Sequence, residues 1–124
     1  MNIDLKIAKK TVQTEIQALK KLLLSFSRSS TSFSKAVNLL SKMRGKCFVI
    51  GVGKSYIVSL KVSATLSSLG TPSVAFSAND LQHGGLGAIQ KNNDVLLVFS
   101  VSGESSELNS ILRYANRHNI PIIG

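Results

Sequence analysis

Twice in this chain a short, almost wholly apolar run ends in a turn of small residues and gives way to helically spaced residues. Cys47 to Gly51 reads CFVIG and leads into Val-Gly-Lys-Ser, and Asp94 to Ser100 reads DVLLVFS and leads into VSGESSE. Runs this short with no polar alternation fit strands buried on both faces, as in parallel sheets covered by helices. Ser73 to Phe76 predicts a further short strand and Ile120 to Ile123 a last one. Between them, Ser55 to Leu69 sets Val58, Val62, Thr65, Leu66 and Leu69 at helical spacing, and Gly70 with Pro72 ends it. Ser105 to His118 predicts another helix with Leu108, Ile111, Leu112 and Ala115 inward. Residues 77 to 93 are looser: SANDLQHGG holds a short helical turn before GLGAIQKNN returns the chain to the sheet. Strands alternating with helices imply right-handed crossovers and an open three-layer α/β parallel sheet. Such sheets bind ligands at the carboxyl ends of their strands.

Upstream, Ile7, Val12, Ile16, Leu19, Leu22, Leu23 and Phe26 recur at threes and fours with lysines between, predicting an amphipathic helix from Asp4 to about Phe26. The polar stretch SRSSTS, Ser27 to Ser32, reads as a breaker that caps a second helix with Phe33, Ala36, Val37, Leu40 and Met43 on its stripe, ending near Gly45. Residues 1–44 are therefore expected to form a helical pair preceding an α/β part at 45–124, the whole being one structural unit.

A chain of 124 residues has room for one core. Its net charge of +9 invites a nucleic-acid reading, but the basic residues, from Lys6 through Lys21, Arg44, Lys61 and Arg117, are dispersed and lack an aromatic platform. A solvated basic surface with a background attraction for anions is the reading that follows, with no nucleic-acid partner. No apolar run approaches the roughly 18 residues of a membrane span. The start, MNIDLKIAKK, lacks the apolar centre of a secretion signal, so the expected compartment is cytoplasmic, with no membrane partner. The single cysteine, Cys47, has no internal partner and adjoins Phe-Val-Ile, which predicts a buried, unreactive thiol.

A Gly/Ser loop leading from a strand into a helix offers an anion free N–H groups, hydroxyl donors and the positive end of a helix dipole. Ser100, Ser102, Ser105 and Ser106 are such donors, Gly103 permits close approach, and Ser105 or Ser106 is placed to cap the helix. Serine caps helices routinely, yet four serines and a glycine in seven residues exceed what one cap uses. The earlier loop, GVGKS, lacks the spacing of a nucleotide P-loop and of a dinucleotide fingerprint, although Lys54 and Ser55 remain able to meet an anion. His83, in a glycine-rich stretch at the same edge, is placed to act as acid or base near neutral pH. His118, at a helix end, is expected to satisfy the terminal carbonyls and dipole. No group of His, Cys, Asp and Glu has metal-ligand spacing, so no metal is expected.

Taken in order, GVGKS, the LGTPS turn, HGGLG and SVSGESSE resemble the sugar isomerase (SIS) domain, most closely arabinose 5-phosphate isomerases of the KpsF/GutQ type. The resemblance runs from about Lys46 to Gly124. It implies a flavodoxin-like sheet, homo-oligomers that share active sites, a sugar-phosphate ligand, no organic cofactor, and conversion of arabinose 5-phosphate to ribulose 5-phosphate through an enediol. Lys54, His83 and Glu107 match the family's catalytic positions, and Ser100, Ser102 and Ser105 its phosphate loop. Glu104 is expected at the helix start as a dipole partner rather than a base. Gly85 stands where the family usually has aspartate and Tyr56 where it usually has glycine, and both touch the ligand edge. The family continues past the strand IPIIG into another strand, helices and often CBS domains, with a further catalytic glutamate and histidine there. The expectation is an N-terminal portion, inactive by itself, of an isomerase. The second reading is a non-catalytic sugar-phosphate-binding regulator.

Overall fold

The structure, a computed structural model, describes residues 2–124; Met1, the first residue of the expected helical pair, lies outside the described residues. Two compact units are present, one ending at Val37 and the other spanning Asn38–Gly124.

Helix α1 runs unbroken over Ile3–Lys42, so the expected pair of helices is a single 40-residue helix. The segment 27–32 contains neither Gly nor Pro, and serine weakens a helix only mildly when its hydroxyl finds a helical carbonyl. That is what happens nearby: Ser25 Oγ donates to the Leu22 carbonyl at 2.7 Å and Ser29 Oγ to the Ser25 carbonyl at 2.9 Å. Asn2 Oδ1 accepts from the Asp4 N–H at 3.0 Å, occupying one of the free donors of the first turn.

The second unit holds strands β1 (Cys47–Gly51), β2 (Ser73–Ser77), β3 (Val95–Phe99) and β4 (Ile122–Ile123), with helices α2 (Lys54–Ser68), α3 (Ala78–Gln82) and α4 (Ser106–Arg117) and a 3-10 turn at Gly85–Ala88. All strands are parallel, in the order β2-β1-β3-β4. The chain thus leaves β1 in one direction and later returns to its other side, which creates a topological switch point between β1 and β3.

Alternation along the strands assigns the two faces. Phe48, Ile50, Leu96 and Val98 share one core with Leu81, Leu108, Ile111 and Ala115, so α3 and α4 cover that face. Phe76 of β2 stacks on Phe48 at 5.7 Å within the same layer. Cys47 and Val49, also fully buried, point the other way, where α2 packs on β1 and β2.

Helix α2 turns inward a stripe that only partly coincides with the one its apolar residues mark, Val62 and Leu66 being half-buried. Ser59 and Ser63 are its buried residues, while Val58, Thr65 and Leu69 are exposed. The cause is close approach: a Cβ on Gly51 would fall 2.4 Å from the Ser55 carbonyl carbon, so the facing helix fits only small side chains. The last strand is shorter than its apolar run, because Pro121 has no N–H to give and enters the ladder only as acceptor, from the Leu96 N–H at 2.9 Å.

The amino end of β3 is held by Asp94, which is almost wholly buried. One carboxylate oxygen accepts from the Lys46 N–H at 2.8 Å and the other from the Gln90 N–H at 2.6 Å. Gly45 is obligatory beside it, since a Cβ there would sit 2.0 Å from the carboxylate.

Candidate functional site

Gly51 pairs with Phe99 on one side and with Ser77 on the other, so three loops leave the sheet from adjacent strand ends. Two of them, Val52–Gly53 before α2 and Ser100–Ser105 before α4, flank the switch point. Each delivers a helix N-terminus to the same edge, the arrangement that favours an anion.

The first loop turns at Gly53, whose φ of 57° is left-handed, and this residue caps α2 without a side chain. Lys54 opens the helix and is exposed; Ser55 follows, half-buried. The second loop closes on its own hydroxyls. Ser100 Oγ accepts from the Gly103 N–H at 2.9 Å and Ser102 Oγ from the Glu104 N–H at 3.1 Å, with Gly103 at a φ of 69°. Both hydroxyls keep their own proton to donate. Ser105 takes the N-cap position of α4 but makes no side-chain cap bond, so this hydroxyl stays free at the helix start. Ser106 does not cap either: its hydroxyl donates to the Glu107 carboxylate at 3.2 Å.

Glu104 lies two residues before α4 and is exposed, and Glu107 is the acidic residue of the first turn. Glu104 therefore precedes the helix it was expected to begin, and Glu107, half-buried, is the one inside it, because the glycine turn delays the helix start to Ser106. His83 ends α3 and is exposed; its N–H meets the carbonyls of Asn79 and Asp80 at 3.3 and 3.2 Å. Gln82, its neighbour, donates to the Glu107 carbonyl and, at 2.6 Å, to Ser110 Oγ. That bridge ties the His83 corner to the first turn of α4. Lys54, Ser55 and the Ser100–Glu107 segment thus follow the adjacent ends of β1 and β3, while His83 is tied to the α4 side through its neighbour.

Two features of this edge lie outside the candidate residues. Ser77 caps α3, accepting from the Asp80 N–H at 3.1 Å and donating to the Asp80 carboxylate at 2.7 Å. The pattern Ser-x-x-Asp marks such a reciprocal cap and was available in SAND. The Gln82 bridge spans 25 residues and carries no local pattern.

Cys47 is fully buried, and burial raises its thiol pKa to about 11, as an inert core thiol requires. His118 does cap α4, but through its N–H to the Tyr114 and Ala115 carbonyls, with its ring edge-on to Tyr114 at 4.4 Å. Desolvation, with the charges of Lys91 and Arg117, holds this imidazole below the usual histidine range. Among the described residues no group of three or more His, Cys, Asp or Glu is placed to hold a metal, and no helix is long and apolar enough to cross a membrane.

A parallel sheet with two helix N-termini at its switch point defines an open α/β domain. Residues 39–124 match the SIS domain model, and the chain belongs to that family. It is 38% identical over 116 residues to arabinose 5-phosphate isomerase KdsD of Pseudomonas aeruginosa, which covers 94% of this chain and 34% of that protein. The Francisella tularensis KdsD is 35% identical over 119 residues, again covering 94% of this chain and 35% of the relative. Among solved structures, an E. coli CFT073 protein in complex with arabinose 5-phosphate superposes with a TM-score of 0.86 at 31% identity, over 98% of this chain and 64% of that one. The chain thus spans about a third of the length of these curated relatives.

Proposed function

We propose that residues 45–124 bind a sugar phosphate at the β1/β3 switch point as part of an aldose-ketose isomerase interconverting arabinose 5-phosphate and ribulose 5-phosphate. The observation that carries this reading is the pairing of Gly51 with Phe99, which sets both anion-receptive loops on neighbouring strand ends about 5 Å apart. Ser55, Ser100, Ser102 and Ser105 donate to the phosphate, as does Ser106 once its hydroxyl turns from the Glu107 carboxylate, and Gly103 lets the backbone approach it. The free Ser105 hydroxyl supports this assignment most directly.

In the reaction the Glu107 carboxylate takes the C2 proton of the aldose. The C–H electron pair becomes the C1–C2 double bond of the enediolate, and the carbonyl oxygen takes up the negative charge. Lys54 and His83 stabilise the oxygens, and return of the proton to C1, with the O2 hydroxyl proton passing to O1, gives the ketose. No organic cofactor enters, and the enzyme works as a cytoplasmic homo-oligomer.

The test is turnover of arabinose 5-phosphate by the full isomerase of which these residues are a part, and by its Glu107→Gln variant, which is expected to lower kcat by about 10²- to 10⁴-fold. An unchanged rate in the variant contradicts the assignment. A second reading, a sugar-phosphate-binding regulator, is favoured by the exposure of both Lys54 and His83. It predicts saturable binding of the same ligand with no turnover.

A further inference from the structure

The first turn of α4 lacks the restraint of a capping side chain. Ser105 holds the N-cap position without a cap bond, and the Ser106 hydroxyl is turned to the Glu107 carboxylate. A helix start of this kind leaves its free N–H groups to water and frays first. Glu107 stands in that turn. What holds it comes from α3. The Gln82 side-chain amide carries two N–H donors; one goes to the Glu107 carbonyl and the other, at 2.6 Å, to Ser110 Oγ. A helical carbonyl points toward the following turn, so these two acceptors are neighbours and one planar amide fastens both turns.

The element that carries Gln82 is itself fixed. Helix α3 starts at the reciprocal Ser77–Asp80 cap, and Leu81 is fully buried in the same core as Leu108. Apolar packing of this kind sets how close the two helices lie but is non-directional, whereas hydrogen bonds also fix rotation and axial slip. Among the described residues, the two Gln82 bonds are the only side-chain hydrogen bonds joining α3 to α4. The bonds that close the Ser100–Ser105 loop, from the Gly103 N–H to Ser100 and from the Glu104 N–H to Ser102, do not involve Gln82.

We propose that Gln82 is a positioning residue that holds the first turn of α4, and with it Glu107, in register with the His83 corner. By standing in for the missing cap it also leaves the Ser105 hydroxyl free for the ligand. This rests on the reading of Glu107 as the base and names what aims it. Proton abstraction is sensitive to the placement of the base, a 1 Å error costing about 10²-fold, while the phosphate is held by a loop with bonds of its own. Loss of Gln82 therefore falls on kcat rather than on KM.

Steady-state kinetics of the full isomerase of which these residues are a part, with arabinose 5-phosphate as substrate and rates taken per folded molecule by circular dichroism, tests it. Gln82→Met keeps the side-chain length without either donor and is expected to lower kcat about 10- to 100-fold, with KM changed by less than about 3-fold. Gln82→Glu, an acceptor only when ionised, is expected to lose at least as much, and Gln82→Lys, which keeps a donor within reach, to stay within about 5-fold of wild type. Ser110→Ala is expected to lower kcat about 3-fold by itself and no further in the Gln82→Met background. An unchanged kcat in Gln82→Met, a loss carried by KM, a loss that only tracks the folded fraction, a Gln82→Lys as impaired as Gln82→Met, or additive effects of Ser110→Ala each overturns the proposal. Glu107→Gln, measured alongside, separates the two readings: if it lowers kcat and Gln82→Met does not, the positioning role alone fails, whereas an indifferent Glu107→Gln, or a wild type without turnover, overturns both.

Discussion

Replacing Gly51 with alanine places one methyl group where strand β1 meets the first turn of α2. The new Cβ would lie 2.4 Å from the Ser55 carbonyl carbon and 2.6 Å from both the Ser55 oxygen and the Tyr56 nitrogen. All three are helix backbone atoms, so no rotamer change relieves the contact. Restoring ordinary separation requires α2 to move outward by about 1 Å, and overpacking of this kind costs about 1–3 kcal/mol. For a unit of this size that lowers Tm by roughly 5–20 °C. The same shift carries Lys54 and Ser55 away from the Ser100–Ser105 loop, so affinity for a sugar phosphate falls with stability. Urea titration followed by circular dichroism at 222 nm reads the first effect and calorimetry the second. Gly53→Ala is the control: its Cβ meets nothing within 4 Å, and its cost is the strain of a φ of 57°, about 1–2 kcal/mol. If Gly51→Ala unfolds at the wild-type urea midpoint with the same slope, the close approach of α2 to β1 is wrong, and so is the account of its serine-lined inner face.

Asp94→Asn turns an amide N–H₂ toward the N–H of Lys46 or Gln90, both of which now donate to the carboxylate, and is expected to cost about 1.5–3 kcal/mol by urea titration. Cys47, with its folded pKa raised to about 11, is expected to resist a disulfide reagent at pH 8 until the chain unfolds. Because the folded thiol holds its proton more tightly than the unfolded one, its contribution to stability is full below about pH 8.5 and is lost as pH rises toward 11. Ser30→Pro lies inside a continuous helix and is expected to cost about 3 kcal/mol of helix stability and visible ellipticity at 222 nm, whereas a natural break at 27–32 would absorb it silently.

The parts of this fold legible in the sequence are those set by local apolar pattern. CFVIG and DVLLVFS read as buried parallel strands, and α4 shows its core stripe at Leu108, Ile111 and Ala115 because nothing else competes for that face. Helix α2 was not legible in the same way. Its inner stripe is decided by how near Gly51 lets the backbone come, and a larger apolar residue elsewhere on the helix gives no sign of that distance. The serine run at 27–32 is ambiguous in principle, since one hydroxyl can cap a new helix or bond back to the old one, and only the absence of Gly and Pro favours continuity. At the site, the anion-receptive loops could be placed by strand-turn-helix pattern. Which glutamate enters the helix depended on where the Gly103 turn ends, and the Gln82 tie to α4 joins segments with no shared pattern.

Calorimetric titration of the chain with arabinose 5-phosphate, beside unphosphorylated arabinose, addresses the sheet-edge site most directly. Saturable binding of the phosphorylated sugar alone is expected, weakened about 10- to 100-fold by Ser105→Ala, which removes the one loop hydroxyl that makes no cap bond at the start of α4. Equal binding of both sugars, or an affinity untouched by Ser105→Ala, would contradict a phosphate held between the Gly53 and Gly103 turns.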